Sequence, residues 1–454
     1  MRLYNNKASN FNKITMDTIF APITSIISGA VITIRISGKD CLKIKNKFNI
    51  IADLKIRYNH LVTLKLAQEI IDQVIIVYYK APHSYTGEDV IEISIHGSKI
   101  IYQRLIKELA NITDFRFAEP GEFTKRAFIN RKLDLIKAEA VDDLIAAETP
   151  LQAKQALQQL YGKNSKVFEE WRAELVKIHS IIEAYIDFPD EDLPEDNIKE
   201  SYSLISQLKH NIAKVLDDNQ VGEVIREGIN ISIIGPPNSG KSSLINNLSG
   251  REIAIVSNIS GTTRDAIDVH LNIAGFSVIL TDTAGLRKTD DTIEKMGIDK
   301  AIEKAQSAHF KILLLPVEEL DITEYKNFID KNTIIVANKI DLLKENILAK
   351  LQQNRSDICF ISVKENKGIN ILVDSLEKLI INNYQKQDTI ITRERHRNIL
   401  QNINSELEDI DFSDNLEIIS EKLRIVINRL GKMVGTVDIE EILDNIFANF
   451  CIGK

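Results

Sequence analysis

The stretch Gly235-Pro236-Pro237-Asn238-Ser239-Gly240-Lys241-Ser242 decides how this chain is read. It fits G-x-x-x-x-G-K-[ST], follows the apolar run at 229–234 and leads into a helix-like run at 243–248. The two glycines let successive backbone N–H groups turn inward around phosphate oxygens, and the N-terminus of the following helix adds partial positive charge. At this spacing Lys241 reaches the β- and γ-phosphates, and the Ser242 hydroxyl takes one coordination position of Mg²⁺. The plain alternative is a Gly-rich turn beside a helix. Ordinary composition produces such a match in a chain this long at about one or two per cent, so the phosphate reading is preferred.

Three further segments follow in the order a nucleotide site requires. Asp282-Thr283-Ala284-Gly285 comes after the apolar run at 276–280, as the end of a strand should. A carboxylate there holds Mg²⁺ through water, and the Gly285 N–H meets the γ-phosphate. Asn338-Lys339-Ile340-Asp341 follows the buried-strand pattern at 333–337. The Asp341 carboxylate can accept two hydrogen bonds, from N1–H and the 2-amino group of guanine, which adenine does not offer. Ser362-Val363-Lys364, after the apolar run at 358–361, falls where a loop would close over the base. The expected ligand is therefore GTP rather than ATP, with Asn238 to Ser243 around its phosphates.

The rest of the chain is bounded by length and composition. Its 454 residues leave room for two to four domains, and 44% hydrophobic with 27% charged residues is ordinary for a soluble globular protein. A net charge of −8 provides no global basic field for nucleic acid, so any RNA contact uses a local patch or a partner. Cys41, Cys359 and Cys451 form no C-x-x-C pair, which argues for a reducing compartment and against structural zinc. No apolar run approaches the ~20 residues that span a bilayer, and the N-terminus has no signal-peptide core. A cytoplasmic protein is expected. In the ending Cys-Ile-Gly-Lys the position two after the cysteine is Gly rather than aliphatic and the last residue is Lys, so prenylation is not expected.

Residues 1–130 read as an α+β domain, with strands at 30–36, 73–79 and 90–96 and a helix at 100–109. Residues 131–222 read as helical. There Leu157, Leu160, Phe168, Trp171, Leu175, Ile178, Ile182 and Tyr185 fall on one face of a single long helix, before a solvated acidic break at 187–196. Residues 223–380 alternate strands and helices as a doubly wound α/β sheet does. Helical periodicity returns over 381–454, so the nucleotide domain is expected to be inserted into one helical domain whose two parts bury each other's apolar faces.

Thr86-Gly87-Glu88-Asp89-Val90, Pro120-Gly121-Glu122-Phe123-Thr124-Lys125-Arg126-Ala127-Phe128, Lys132-Leu133-Asp134-Leu135, Gly261-Thr262-Thr263-Arg264-Asp265 and the Cys-Ile-Gly-Lys ending extend the pattern over essentially the whole chain. These segments resemble the tRNA-modification GTPase family MnmE, also called TrmE. The resemblance implies an N-terminal domain that dimerises and binds 5-formyl- or 5,10-methylene-tetrahydrofolate, with contacts from Arg35, Glu92, Lys132 and Lys454. It implies a Ras-like GTPase and a flavoprotein partner, MnmG, which carries FAD and joins it in a heterotetramer. Together they install an aminomethyl-type group, such as carboxymethylaminomethyl, on carbon 5 of the wobble uridine of certain tRNAs. Thr24 to Ala30 departs from the Gly/Arg-rich turn usual in the family.

The resemblance also bears on hydrolysis. Many small GTPases orient water with a Gln after Asp-x-x-Gly, but Leu286 stands there. The resemblance nominates Glu294 instead. It implies a K⁺ ion held by Asn238, Ser257, Ile259 and Thr262, supplying the charge an arginine supplies elsewhere. Thr263 would be the second protein ligand of Mg²⁺, within a nucleotide-contacting loop that also includes Asn258, Ser260 and Gly261. Cys451 is either a nucleophile toward a pyrimidine ring or a small buried residue near a helix end. The competing function is a GTP-dependent ribosome-assembly or RNA-binding switch, which would carry a basic RNA-binding domain in place of the folate-type one.

Overall fold

The computed structural model describes residues 17–26, 29–190, 194–255, 269–282, 306–384, 389–437, 443, 446–448 and 450–453. They fall into two compact units, one of residues 1–142, 159–174 and 427–454, the other of residues 143–158 and 175–426. Among the described residues, no helix is long and apolar enough to cross a membrane.

The first unit holds a six-stranded sheet of β1 (Thr18–Pro22), β2 (Val31–Ser37), β3 (His60–Leu66), β4 (Glu69–Tyr79), β5 (Val90–His96) and β6 (Phe115–Phe117). The strand order is β3-β4-β5-β2-β1-β6. Neighbours are antiparallel except β1 and β6. The period of two sends Ile32, Ile34 and Ile36 with Ile91, Ile93 and Ile95 into the core, where the helix Lys99–Ala110 adds Leu105 and Leu109. The same period sends Thr33, Arg35, Glu92 and Ser94 to the opposite face, where Arg35 lies directly across from Glu92 and Thr33 from Ser94.

A buried charge network joins two of the motifs. Arg126, on the helix Glu122–Ile129, is 1% exposed and donates to Glu88 at 3.0 Å, to Glu122 at 2.9 Å and to the Asp17 carbonyl at 2.9 Å. Arg116 grips Glu122 with two bonds of 2.7 and 2.6 Å, and Ser37 donates to Glu88 at 2.7 Å. Burial by itself would raise the Glu122 pKa, but Arg116, the Glu119 N–H and Arg126 outweigh it and hold the carboxyl below its ordinary value. The segment at 86–90 and the helix within 120–128 thus belong to one paired set.

The single long helix expected through Leu157 and Tyr185 is two helices, Pro150–Leu160 and Lys163–Asp187. Gly162, at φ 82°, ends the first in a left-handed turn. The expected stripe survives in the second helix, where Phe168, Leu175, Ile178 and Ile182 are fully buried, while Leu157 is exposed. The C-terminal segment belongs to the first unit: Leu443, Phe447 and Phe450 pack on Leu135 and Ala138. A Cβ on Gly453 would lie 2.1 Å from the Pro22 carbonyl, so the tail runs backbone against backbone along the end of β1.

The second unit holds β7 (Ile229–Ile234), β8 (Val269–Ile273), β9 (Phe276–Asp282), β10 (Phe310–Pro316), β11 (Thr333–Asn338) and β12 (Ile358–Phe360) in the order β12-β11-β10-β7-β9-β8. All pairs are parallel except β8 with β9. The helices Lys241–Ser249 and Ile369–Asn383 bury Leu244, Ile245, Leu248, Leu372, Leu376 and Ile380 against the sheet. Gln155 ties the two ends of this insertion together, its Nε2 donating to the Gly222 carbonyl and to Thr389 Oγ1, both at 3.0 Å. Arg397 bonds Glu223 at 2.6 Å and Asp218 at 2.6 Å. The chain therefore leaves the nucleotide domain beside the point where it entered it. From the loop ahead of Pro150–Leu160, Glu148 accepts from Ser277 of β9 at 3.1 Å and pairs with His270 of β8 at 2.8 Å.

Candidate functional site

From β7 the chain crosses to β8 and β9 on one side and then to β10 on the other. The carboxyl end of β7 is thus the switch point of the sheet, where open α/β folds bind ligands. The loop 235–242 sits there, and its shape follows from its residues. Gly240 is at φ 101°, and a Cβ on it would come 2.4 Å from Asn338 Nδ2. Asn238 takes a left-handed φ of 61°, which asparagine tolerates. Lys241 Nζ donates to the Gly235 and Pro236 carbonyls at 2.9 and 2.8 Å, so the buried ammonium is held across the loop. Ser239 Oγ is buried with no hydrogen-bond partner among the described residues.

Asn338, at the end of β11, joins the phosphate side to the base side. Its Nδ2 donates to the Ser239 carbonyl at 2.8 Å, and its Oδ1 accepts from the Val363 N–H at 3.2 Å. Three residues on, Asp341 accepts from the buried Ser362 hydroxyl at 2.6 Å. That bond is the main reason the Asp341 carboxyl lies below the ordinary carboxylate range, so it is an anion at neutral pH. The loop holding Ser362 is closed by paired Ser362 and Lys367 backbone bonds of 3.0 Å. These elements border a cavity of about 800 Å³, lined by Gly240, Ser243, Asn338, Lys339, Asp341, Val363 and Lys364 among others. Its volume suits a nucleotide.

Of the residues expected from sequence, Asn238, Ser239, Gly240, Asn338, Lys339, Asp341, Ser362, Val363 and Lys364 lie in these loops, turns and strand ends, and Lys241, Ser242 and Ser243 form the first turn of the helix Lys241–Ser249. Ser257, Asn258, Ile259, Ser260, Gly261, Thr262, Thr263, Thr283, Ala284, Gly285 and Glu294 lie outside the described residues, as does the side chain of Asp282. The donors that are described fit a hard cation: Ser242 offers a hydroxyl and Asn238 an exposed carboxamide beside the loop.

The second candidate site lies on the polar face of the N-terminal sheet. Arg35 Nε donates to Glu92 at 2.9 Å, and its guanidinium lies 4.7 Å from the centroid of the Tyr85 ring and 5.5 Å from that of Phe123. Arg35 and Glu92 therefore act as one pair. Lys132 Nζ donates to the Pro82 carbonyl at 2.9 Å. The loop containing Pro82 and Tyr85 thus touches both Lys132 and Arg35. Lys454 is outside the described residues; the adjoining Gly453 packs on Pro22, the neighbour of Ala21, which pairs with Arg35. Cys451 is exposed, which corrects the buried alternative, and its carbonyl accepts from the Gly121 N–H at 3.4 Å. No local pattern in the sequence announces the backbone-to-backbone contact between residues 22 and 453; only the resemblance set Lys454 beside Arg35.

This fold and these loops define a P-loop nucleotide-binding domain of Ras-like topology inserted between helical segments. A family described as MnmE helical domain matches residues 135–451, and one described as GTP-binding protein TrmE N-terminus matches residues 18–132. The chain is 44% identical over 446 residues to the tRNA modification GTPase MnmE of Rickettsia bellii, covering 97% of this chain and 100% of that protein. It is equally similar to its counterpart in Rickettsia rickettsii. Among solved structures it is similar to a variant of Era from Aquifex aeolicus bound to GDP.AlF4-, at 26% identity over 33% of this chain and 56% of that one, with a TM-score of 0.26. The chain belongs to the tRNA modification GTPase MnmE family.

Proposed function

We propose that this chain hydrolyses GTP at the 235–242 loop and couples turnover to modification of carbon 5 of the wobble uridine of tRNA. The observation that carries the nucleotide reading is the cavity spanned by Asn338, with the ionised Asp341 held at its base end by Ser362. The loop N–H groups and Lys241 bind and orient the phosphates, and Asp341 selects guanine. Ser242 and Thr263 would hold Mg²⁺, which offsets phosphate charge. Asn238, with Ser257, Ile259 and Thr262, would hold K⁺, and Glu294 would position water. Equal hydrolysis in K⁺ and Na⁺ at matched ionic strength would remove the K⁺ part of this reading.

The one-carbon donor in this reading is a formyl- or methylene-tetrahydrofolate bound near Arg35, Glu92, Lys132 and Lys454. The Arg35–Glu92 pair can bond a pterin's mixed donor and acceptor edge, and Tyr85 beside it offers an aromatic wall. A homodimer through the N-terminal domain is supported by Ile56, Tyr58, Leu61, Ile70 and Ile75, large apolar side chains left exposed on or beside β3 and β4. The flavoprotein MnmG would join this dimer in a heterotetramer and supply the redox chemistry through its FAD.

The test is Asp341→Asn, with calorimetric titration of GDP, XDP and ADP. Guanine affinity should fall and xanthine affinity rise, because xanthine has a carbonyl where guanine has its 2-amino group. Unchanged GDP affinity would mean that other residues read the base.

A further inference from the structure

Arg251 follows the phosphate-loop helix by two residues and lines neither the cavity nor any motif named above. Its guanidinium nevertheless spans three carboxamides. Nη1 donates to Asn370 Oδ1 at 2.6 Å, Nε to Asn247 Oδ1 at 3.3 Å, and Nη2 to Asn366 Oδ1. Asn247 Nδ2 adds a bond to the same Asn366 oxygen at 3.4 Å. Asn247 lies on the helix that starts at Lys241 and lines the cavity. Asn366 lies in the loop that carries Ser362, Val363 and Lys364, at a left-handed φ of 55°. Asn370 opens the helix behind that loop.

We infer that Arg251 is a positioning residue for the guanine nucleotide, fastening the base-side loop to the phosphate-loop helix. This rests on the nucleotide reading given above and deepens it. The fork matters because a guanidinium presents several donors in one plane, whereas a lysine presents a single mobile point charge. The loop it holds has two tasks that depend on fixed placement. Ser362 must stay within reach of Asp341, and the Val363 N–H must stay on Asn338. Asn338 anchors the inner end of the loop to the strand layer, and Asn366 anchors its outer end through Arg251. Among the described residues the Arg251 guanidinium bonds Asn247, Asn366 and Asn370 and neither Asn238 nor Ser242, so its loss should weaken ground-state and transition-state binding alike.

The test uses the full chain with Arg251→Ala, Asn366→Gly and the double variant, measuring GDP affinity by calorimetry and steady-state GTP hydrolysis. Glycine at 366 keeps the left-handed backbone accessible while removing the carboxamide. Each single variant should weaken GDP binding by about tenfold and raise the KM for GTP in parallel, with kcat within about twofold of the parent. The double variant should lose no more than either single one, because both remove the same fastening. Arg251→Lys should recover less than half of the lost affinity on a logarithmic scale. GDP affinity within twofold of the parent in Arg251→Ala, additive losses in the double variant, or a fall in kcat at unchanged KM would each overturn the inference. Loss of guanine binding by the parent chain itself would instead refute the nucleotide reading.

Discussion

Replacing Gly240 by alanine tests whether the phosphate loop is held by Asn338 in the shape described. The backbone there is at φ 101°, and the new Cβ would lie 2.4 Å from Asn338 Nδ2. Holding a non-glycine residue in such a region costs about 1–3 kcal/mol. Pushing the amide away forfeits its bond to the Ser239 carbonyl, worth about 0.5–1.5 kcal/mol. Together these costs amount to roughly 2–4 kcal/mol, or about 30- to 1000-fold in nucleotide affinity. Gly250, at the other end of the same helix, is the control. A Cβ there meets nothing closer than 3.7 Å, at an ordinary negative φ. Gly250→Ala should therefore bind GDP within about twofold of the parent, since unstrained exposed substitutions stay within about 0.5 kcal/mol. Calorimetric titration of all three proteins with GDP gives the comparison. Gly240→Ala affinity within threefold of the parent would refute the argument that this contact shapes the loop.

Arg126→Ala should destabilise the N-terminal unit by about 3–5 kcal/mol, because it takes the guanidinium from the half-buried Glu88 and leaves the buried Glu122 with Arg116 alone. Trp171, the chain's one tryptophan, belongs to the same unit, so its fluorescence in a denaturant series reads the change; a shift below 1 kcal/mol would contradict the network's importance. Glu122 also gives a pH signature. Its folded pKa lies below the ordinary 4.5, so its contribution is complete above that pH and is lost as pH falls through the folded value. Glu122→Gln should flatten that acid limb, and an unchanged limb would assign it to other groups. For the folate proposal, Glu92→Gln in the full chain should weaken calorimetric binding of 5-formyltetrahydrofolate by about ten- to a hundredfold. No binding by the parent would remove the folate assignment.

What the sequence made legible was what is local. The phosphate loop, the Asp-x-x-Gly strand end and the Asn-Lys-x-Asp turn each place their residues by spacing along a few positions, and β7, β9 and β11 end where those motifs begin. Sidedness in β5 followed from its alternation of apolar and polar residues, but the Arg35–Glu92 pair did not, because it depends on the register of residues 57 positions apart. The helix break at Gly162 was hidden by apolar residues that keep helical spacing on both sides of it. Arg251 carried no signal at all: its three partners are asparagines scattered over 247, 366 and 370, and only the packed sheet brings them together.

In the proposed function, GTP turnover at the 235–242 loop drives a tRNA modification. That link is tested most directly by nucleoside analysis of tRNA from cells lacking this chain, complemented with the parent or with Lys241→Ala. Lys241 lies across the loop and its ammonium is the loop's own cation. Wobble uridine should lack its carbon-5 substituent in the deprived cells and in those carrying Lys241→Ala, with full modification restored by the parent chain. Complete modification without the chain, or with Lys241→Ala at parent levels, would contradict that link.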